Sequence, residues 1–449
     1  MIRLHDTATG QVRELAQREP GKVSLYVCGP TVYDVPHIGH GRSVLTYDVL
    51  RRYLEWTGLE VRHVSNITDV DDKIIERAGE RGVTEGELAQ EFEGVWWDAM
   101  DRLGALRPTD TPHATEYIEG MVAMVGELAD KGLAYETSDG VYLQVDQVDG
   151  YGLLARQPLD SLRSGARVEA NDEKRSPLDF ALWKKAKPGE PSWSSPWGDG
   201  RPGWHTECVV MSLDLLGDGF DLHTGGMDLT FPHHENERAQ AVALGRDFAH
   251  HWTHHAFITS GGEKMSKSLN NFTTLVDLLE RVDKRAYRLL VLQAHYRSPL
   301  EVTPETTERA VTSLNRLDTF ARNTADLDGE PDAAMVAEFR AAMDDDLQSP
   351  AAMSVVFKAV TEGNTALAAG DRDRAAVLAA TVRDLSRAVG LELEDAADEV
   401  DAGAEAIVAR RDQARAAKDW AAADAARDEL VALGWVVEDT AEGTKIRRA

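Results

Sequence analysis

Cysteine, histidine and glutamate side chains of this sequence could bind a metal ion. Cys28 and Cys208 are its only cysteines, too few for a disulfide framework. His233 and Glu237 are four residues apart and would lie on one face of a helix. Two thiolates, an imidazole and a carboxylate would form a tetrahedral zinc site, and spacing alone leaves His234 as an alternative to His233. Since free cysteines are usually small buried apolar residues, a structural role is the alternative for both.

The segment His37-Ile38-Gly39-His40 could bind the phosphates of a nucleotide. It follows a predicted strand and begins a predicted helix, where free N–H groups and the helix dipole favour anions. Gly39 removes a side chain where an adenine ring could approach closely. His37 and His40 could donate hydrogen bonds to phosphate oxygens in a transition state. The alternative is a pair of surface histidines at the start of a helix.

Two later segments could complete a nucleotide site. Lys264 and Lys267 follow two glycines, and two lysines on a mobile loop can neutralise the charge of a departing pyrophosphate. Gly225 and Gly226 follow a predicted strand and would permit close backbone approach, while Asp228 could accept a hydrogen bond from a ribose hydroxyl. A solvated lysine loop and a plain turn are the respective alternatives.

The elements around these residues predict an α/β fold. Residues 22–29 read as a buried strand, apolar residues at helical spacing run from Leu45 to Trp56, and residues 60–67 read as a second strand. This βαβ unit implies a parallel sheet that binds ligands at the carboxyl ends of its strands. Further elements are predicted as helices at 84–104 and 112–131, a hairpin strand at 140–145 and a strand at 252–259. A surface position on or beside that last strand is expected for His250, His251, His254 and His255.

Beyond residue 300 the apolar pattern is helical only. Phe339 and Met343 mark one stripe, and Leu378 and Val382 mark another, which predicts a helical bundle. A small unit follows that is helical over 405–433 and ends in a short hairpin. The predicted organisation is therefore a Rossmann-like parallel-sheet domain at 1–118 and 201–265, an insertion at 119–200, a lysine-motif loop with a connecting region at 266–304, an all-α bundle at 305–400 and a small α+β unit at 401–449.

Charge and composition limit the classes of function. The chain of 449 residues has 49 Lys and Arg against 77 Asp and Glu, a net charge of −28, which by itself argues against a nucleic-acid partner. The acidic residues are concentrated at 301–400, which has 9 basic and 21 acidic residues. Residues 401–449 have 8 basic and 10 acidic residues. The terminal unit is therefore nearly neutral, and Arg410, Arg411, Arg415 and Lys418 lie close together in its sequence. No apolar run or leader suggests a membrane or secretion, so we expect a cytoplasmic protein with no membrane partner.

The two nucleotide motifs, in this order, resemble those of the class I aminoacyl-tRNA synthetases. Four further segments resemble the cysteinyl-tRNA synthetase family of bacterial type. They are residues 26–34, which contain Cys28, residues 66–73, residues 203–208, which end in Cys208, and residues 231–237. The resemblance extends from Leu4 to Arg448. It departs from the family at Asn270, where a glycine is common, and this affects the expected mobility of the lysine loop.

The resemblance implies a two-step reaction. The carboxylate of L-cysteine attacks the α-phosphorus of ATP, supplied with Mg²⁺, pyrophosphate leaves, and the cysteinyl group passes to the terminal ribose of tRNA-Cys. One zinc ion would bind the substrate thiolate, and since a serine hydroxyl is a poor ligand, no editing domain is needed. The terminal unit would read the anticodon, and Arg410, Arg411, Arg415 and Lys418 could offer basic contacts to this RNA. We expect a monomer.

The same resemblance assigns residues to these steps. The catalytic residues would be His37, His40, Lys264 and Lys267. The ATP-binding residues would be His37, Gly39, His40, Gly225, Gly226, Asp228 and Lys267. The cysteine pocket would consist of Thr31, Thr68 and Trp204, although a plain core position is the alternative for Trp204. The zinc ligands would be Cys28, Cys208, His233 and Glu237.

Two other functions share part of this pattern. A ligase that transfers cysteine from the adenylate to an aminosugar would have the same zinc and nucleotide motifs, but it would lack a full anticodon module. A non-catalytic RNA-binding paralogue would have no need to keep the two histidines, the two lysines and the four zinc candidates together.

Overall fold

The computed structural model describes residues 2–156, 172–260, 263–264, 274–394, 402–440 and 443–448. Its strands are β1 Arg3–Asp6, β2 Gln11–Glu14, β3 Lys22–Val27, β4 Glu60–Ser65, β5 Ala134–Glu136, β6 Gly140–Leu143, β7 Phe180–Lys185, β8 Gly200–Pro202, β9 Leu222–Gly226, β10 His251–His255, β11 Ile258–Ser260, β12 Glu263–Lys264, β13 Leu300–Glu301, β14 Trp435–Thr440 and β15 Gly443–Arg448. Its α-helices are Ile38–Trp56, Asp72–Arg81, Glu85–Leu103, Ile118–Asp130, Trp204–Leu216, Glu235–Leu244, Leu275–Leu279, Lys284–Leu292, Pro304–Asn323, Ala333–Asp344, Ser349–Ala368, Arg372–Ala388, Ala402–Ala416 and Trp420–Ala432.

A four-stranded parallel sheet in the order β10-β9-β3-β4 positions the site. Five consecutive residues of β3 are buried, as expected for a central strand covered on both faces. The helix Ile38–Trp56 connects β3 to β4, which confirms the predicted βαβ unit. The carboxyl ends of β3, β9 and β10 therefore meet at one edge of the sheet.

The strand predicted at 252–259 is two strands in two different sheets. β10 ends the parallel sheet, and β11 pairs with β12 and β13 in a separate three-stranded sheet. The break lies at Ala256 and Phe257, where the Ala256 N–H donates to the Tyr296 carbonyl. The Phe257 carbonyl accepts from the buried Arg42 guanidinium at 2.6 Å. These long-range bonds redirect the backbone, and no local pattern of apolar residues reports them.

A second sheet is antiparallel and has the strand order β5-β6-β7-β8. β6 confirms the predicted hairpin strand at 140–145. Leu182 and Trp183 of β7 are completely buried in a core that also contains Cys208 and Val209. The antiparallel sheet thus supports the helix that carries Cys208.

All secondary-structure elements between residues 304 and 388 are helices, as predicted for the bundle, and they join the parallel-sheet part through a shared core. Phe339, Met343, Leu378 and Val382 are buried, and they belong to the same hydrophobic cluster as Leu25 of β3. No helix within the described residues is both long and apolar enough to cross a membrane.

The terminal unit differs from its prediction in two respects. Its helical stretch is interrupted at Lys418, whose φ of 59° ends one helix, and Asp419 caps the next. Of the arginines expected to contact RNA, Arg411 is buried against Asp439, so the prediction is wrong for that residue. Arg410 and Arg415 form ion pairs with Glu429 and Asp439 and keep part of their side chains exposed. The predicted hairpin is confirmed as β14 and β15.

A buried ion pair joins the helix Ile38–Trp56 to the helix Lys284–Leu292 and can be tested by mutation. Arg288 pairs with Asp48 at 2.5 Å and donates to the carbonyls of Gly104 and Val389. Removing the cation by Arg288→Met leaves the buried carboxylate poorly compensated, so we expect the free energy of unfolding to fall by about 3 kcal/mol. Lys358→Met, in an exposed pair with Glu338, is the control and should cost less than about 1 kcal/mol. Equal losses in urea unfolding would contradict the assignment.

The same pair predicts a pH dependence. Burial alone would raise the pKa of Asp48, but the neighbouring Arg288 and Arg52 lower it below its ordinary value. The charged carboxylate therefore stabilises the fold above the unfolded pKa of about 3.9, and this contribution is lost as pH falls through the lower folded pKa. The difference in unfolding free energy between the wild type and Asp48→Asn should be largest near neutral pH and shrink below about pH 4. A difference that stays constant on acidification would refute this role.

Candidate active site and metal centre

The four predicted metal ligands meet at the carboxyl edge of the parallel sheet. Cys28 directly follows β3, and Cys208 comes from the helix that begins after β8. His233 lies in the short turn Thr230–His234 after β9, and Glu237 lies in the first turn of the next helix. Three of the four side chains are buried, and Cys28 is partly buried. The fold therefore brings together donors that are up to 209 positions apart in the sequence.

The distances between the donor atoms suit a single tetrahedral ion. Zinc bonds of about 2.0–2.3 Å at tetrahedral angles place ligand atoms about 3.3–3.8 Å apart. The Sγ atoms of Cys28 and Cys208 are 3.9 Å apart, and Sγ of Cys208 is 3.7 Å from Nε2 of His233. Oε1 of Glu237 is 3.0 Å from that Nε2 and 3.5 Å from Sγ of Cys28. The residues present therefore fit a zinc ion.

A second set of donors overlaps the first. Cys28 and Glu237 also form a compact group with His223 and His234. Nε2 of His234 is 3.2 Å from Sγ of Cys28, and Nε2 of His223 is 2.7 Å from Oε2 of Glu237. The ambiguity between His233 and His234 left by the sequence is thus also present in the geometry. His223 was missed by the sequence reasoning, although its position in the strand before Gly225 was a usable signal.

The electrostatics of the cluster favour a cation. Hydrogen bonding from Cys28, and then the neighbouring His233, lower the pKa of Cys208 to about 6. Burial opposes ionisation of Glu237, but His223 and His233 hold the pKa of that carboxyl well below its usual range. Against the effect of burial, Glu237 and Cys208 raise the pKa of His233 to about 10, and burial raises the pKa of the Cys28 thiol well above its usual range. In the metal-free site the His233 imidazolium therefore compensates the Cys208 thiolate and the Glu237 carboxylate, and a bound metal ion would replace these protons.

The histidines of β10 are buried, so the prediction of a strand surface is wrong for His251, His254 and His255. β1 lies against β10, and the Thr7 N–H after β1 donates to the Trp252 carbonyl. Burial lowers the pKa of His254 to about 3. Its Nε2 lies 2.7 Å from Nδ1 of His234, next to the candidate ligands. His250, just before the strand, is exposed as expected.

His37 and His40 cap the first helix through each other. Nδ1 of His37 accepts from the His40 N–H, and Nδ1 of His40 accepts from the His37 N–H. The two rings stack with centroids 3.7 Å apart. Because Nδ1 accepts in both rings, each neutral imidazole carries its proton on Nε2. A Cβ on Gly39 would lie 2.9 Å from the His37 ring, so this glycine also makes room for the imidazole.

The structure describes some of the other residues predicted to bind the nucleotide. Gly225 and Gly226 end β9, and the Tyr47 hydroxyl donates to the Gly225 carbonyl at 2.6 Å. Asp228 is exposed just beyond them. The backbone of Lys264 ends β12. Lys267 and Asn270 lie outside the described residues.

The three residues of the predicted cysteine pocket lie next to the metal candidates. Trp204 is 38% exposed, which rules out a plain core position, and its ring stacks on His233 with centroids 4.0 Å apart. Thr31 and Thr68 form a β-bridge. The Thr68 hydroxyl donates to Glu207 at 2.9 Å, a completely buried carboxyl group that the sequence reasoning missed.

Family comparisons cover almost the whole chain. Residues 14–312 match the family described as the tRNA synthetases class I (C) catalytic domain. Residues 338–394 match the DALR domain, and residues 397–447 match the cysteinyl-tRNA ligase anticodon binding domain. Among solved structures, Mycobacterium tuberculosis methionyl-tRNA synthetase in complex with methionyl-adenylate has a TM-score of 0.60 at 16% identity and covers 82% of this chain and 89% of that one. That likeness supports the class I synthetase fold.

Curated relatives match over their full lengths. The cysteine–tRNA ligase of Chromobacterium violaceum is 48% identical over 100% of both chains, and that of Mannheimia succiniciproducens is 45% identical with the same coverage. The cysteine–tRNA ligase of Pseudomonas aeruginosa is also 45% identical over both full lengths. With the catalytic and anticodon-binding matches, these relatives show that the chain belongs to the cysteine–tRNA ligase family of the class I aminoacyl-tRNA synthetases.

Proposed function

We propose that this protein activates L-cysteine with ATP and transfers it to the 3′ end of tRNA-Cys. The observation that carries the proposal is the cluster of two thiols, an imidazole and a carboxylate, with Trp204 stacked on its His233. This cluster lies at the same edge of the sheet as the helix that His37 and His40 begin. A thiol-specific pocket beside a phosphate-binding helix is what cysteine activation requires.

Cys28, Cys208, His233 and Glu237 would hold one zinc ion. Two thiolates make this set softer than the set with His223 and His234, and soft donors favour zinc. When bound, zinc would supply a Lewis acid that binds the cysteine thiolate far more strongly than a serine hydroxyl. Trp204 would close the pocket over the substrate side chain.

Thr68 and Thr31 would position the amino acid backbone. Because the Thr68 hydroxyl proton is directed at Glu207, its oxygen can only accept from other groups. One such bond comes from the Asn66 amide at 3.2 Å, and a second lone pair remains for the substrate ammonium. This arrangement would point the carboxylate of cysteine towards ATP.

His37 and His40 would stabilise the transition state of adenylate formation. Their Nε2–H groups can donate to phosphate oxygens as the cysteine carboxylate attacks the α-phosphorus. The bond to the bridging oxygen breaks, and pyrophosphate leaves with its charge neutralised by Lys264 and Lys267. Gly225, Gly226 and Asp228 would hold the adenosine. A ribose hydroxyl of the tRNA terminus then attacks the carbonyl carbon, and AMP leaves.

The terminal unit at 401–449 would read the anticodon. The match of residues 397–447 to an anticodon-binding domain supports this assignment over transfer to an aminosugar, which involves no anticodon. The chain also keeps every candidate catalytic and metal-binding residue, which favours an enzyme over a non-catalytic paralogue.

Metal content and amino acid activation should depend on the same residues. Cys208→Ala removes a proposed ligand, so we expect zinc to fall from one per chain to a trace and cysteine-dependent pyrophosphate exchange to fall by at least about 100-fold. Ser212→Ala, on the same helix with its hydroxyl bonded to the Val209 carbonyl, is the matched control and should keep both. Removal of zinc with a chelator should abolish exchange, and added zinc should restore it.

Two variants separate the overlapping ligand sets. His233→Ala should lose zinc, whereas His223→Ala should retain it with weaker affinity, because, of the four proposed ligands, His223 hydrogen-bonds Glu237 and would not bind the ion itself. The reverse result would assign the ion to the second set. Full-rate exchange by the metal-free protein would contradict the proposed zinc site altogether.

The acceptor can be tested in competition. With cysteine and ATP, we expect a tRNA with the GCA anticodon and a CCA end to be charged, and an aminosugar offered at equal concentration to remain unmodified. Deleting residues 402–449 should lower charging much more than pyrophosphate exchange, because the terminal unit would contact tRNA and not the reacting groups. Transfer to the sugar alone would overturn the proposed acceptor.

A further inference from the structure

A buried arginine of the first helix joins separate segments of the chain. Arg42 lies just after His40 and is almost completely buried. Its guanidinium donates to the carbonyl of Phe257 at 2.6 Å, to that of Tyr296 at 3.0 Å and to that of Ser298 at 2.6 Å. A guanidinium can only donate and a carbonyl can only accept, so the direction of these bonds is fixed. Arg42 thus ties the helix that begins at the candidate phosphate-binding histidines to the segments around residues 257 and 297.

The Arg42 cation has no carboxylate partner within the part of the chain that the structure describes. Burial lowers its pKa to about 10, so the side chain is still charged at neutral pH. A buried charge is costly unless its donors are satisfied, and here backbone carbonyls satisfy them. An apolar residue could fill the same space but could not bond these segments together. The contacts therefore assign the arginine to the attachment of backbone.

Two of these carbonyls lie at the junction between β10, β11 and β13. The Phe257 carbonyl also accepts from the Leu300 N–H, and the Tyr296 carbonyl also accepts from the Ala256 N–H. Each carbonyl thus receives one bond from the junction itself and one from Arg42. The guanidinium therefore sets where β11 starts relative to the first helix.

The position of β11 in turn determines that of Lys264. β11 pairs antiparallel with β12, and Thr259 lies opposite Lys264. The backbone of this candidate catalytic residue is therefore placed by a strand whose start is bonded to Arg42. His37 and His40 lie at the beginning of the helix that carries Arg42. Arg42 thus links the two groups of residues that would act on the phosphates of ATP.

We propose that Arg42 is a positioning residue that, through β11, fixes the backbone of Lys264 relative to the two helix-starting histidines during adenylate formation. The inference rests on the proposed function. Arg42 would not touch ATP or cysteine, because it is only 1% exposed. A displacement of about 1 Å in a group that acts on the transition state can cost about 100-fold in rate. Loss of the arginine should therefore lower kcat, and KM for cysteine should not change.

Matched substitutions in the full-length protein test the proposal. Arg42→Lys keeps the charge, but one ammonium nitrogen cannot replace two guanidinium nitrogens that face separate carbonyls. Arg42→Gln is a second variant that removes the charge and keeps an amide donor. Arg288→Lys is the control, because it makes the same change at another buried arginine, which pairs with Asp48. Cysteine-dependent pyrophosphate exchange gives kcat and KM, and hydrogen exchange at the Leu300 amide reports the junction.

We expect Arg42→Lys and Arg42→Gln to lower kcat by at least about 10-fold and to speed hydrogen exchange at Leu300, with zinc content and KM for cysteine unchanged. Arg288→Lys should keep the wild-type kcat. In a Lys264→Ala background, Arg42→Lys should have little further effect, because both changes act on the contribution of the same lysine.

Three results would overturn the role of Arg42. They are a wild-type kcat in both Arg42 variants, whether or not exchange at Leu300 is faster, an equal fall of kcat in Arg288→Lys, and a full additional effect of Arg42→Lys in the Lys264→Ala background. A wild-type protein without cysteine-dependent exchange would instead refute the proposed function, and with it this inference.

Discussion

The buried Glu237 carboxylate is the constraint on which the site depends. Its side chain has no solvent exposure, and an ionised carboxylate there must be compensated by nearby donors or a cation. His223 from β9 and His233 from the following turn supply contacts at 2.7 and 3.0 Å. Both depend on β9 lying between β3 and β10. The order of the strands thus brings both histidines to Glu237 and stabilises its charge in the interior.

The same sheet edge combines two kinds of recognition. Thiol donors and Trp204 lie on one side, and the mutually capped histidines begin the helix after β3 on the other. Backbone hydrogen bonds hold the rings of His37 and His40, and the buried contact between Cys208 and His233 holds the metal candidates. Under the proposed function, selection of the amino acid and binding of the nucleotide would both take place at this edge of the sheet.

Local patterns in the sequence predicted much of this architecture. The βαβ unit, the hairpin strand and the bundle follow from apolar periodicity. Donor chemistry and spacing indicated the zinc candidates, but the choice of His233 over His234 rests on the family resemblance. The burial of His254 and the role of Glu207 were not predictable in this way, because both depend on segments distant in sequence. β1 covers His254, and Thr68 comes within reach of Glu207 only in the folded sheet. The break after β10 has the same origin, since carbonyl groups near residue 296 redirect the chain.

The hydrophobic cores separate the terminal unit from the rest of the chain. The parallel sheet and the bundle share one cluster that runs from Ile2 to Leu391, and the antiparallel sheet packs into another that contains Cys208. The terminal unit has a small core of its own, formed around Trp435 and Leu430. Local unfolding of the terminal unit therefore leaves the larger core intact. Selection could alter or replace the tRNA-reading part with little effect on the folding of the part that activates the amino acid.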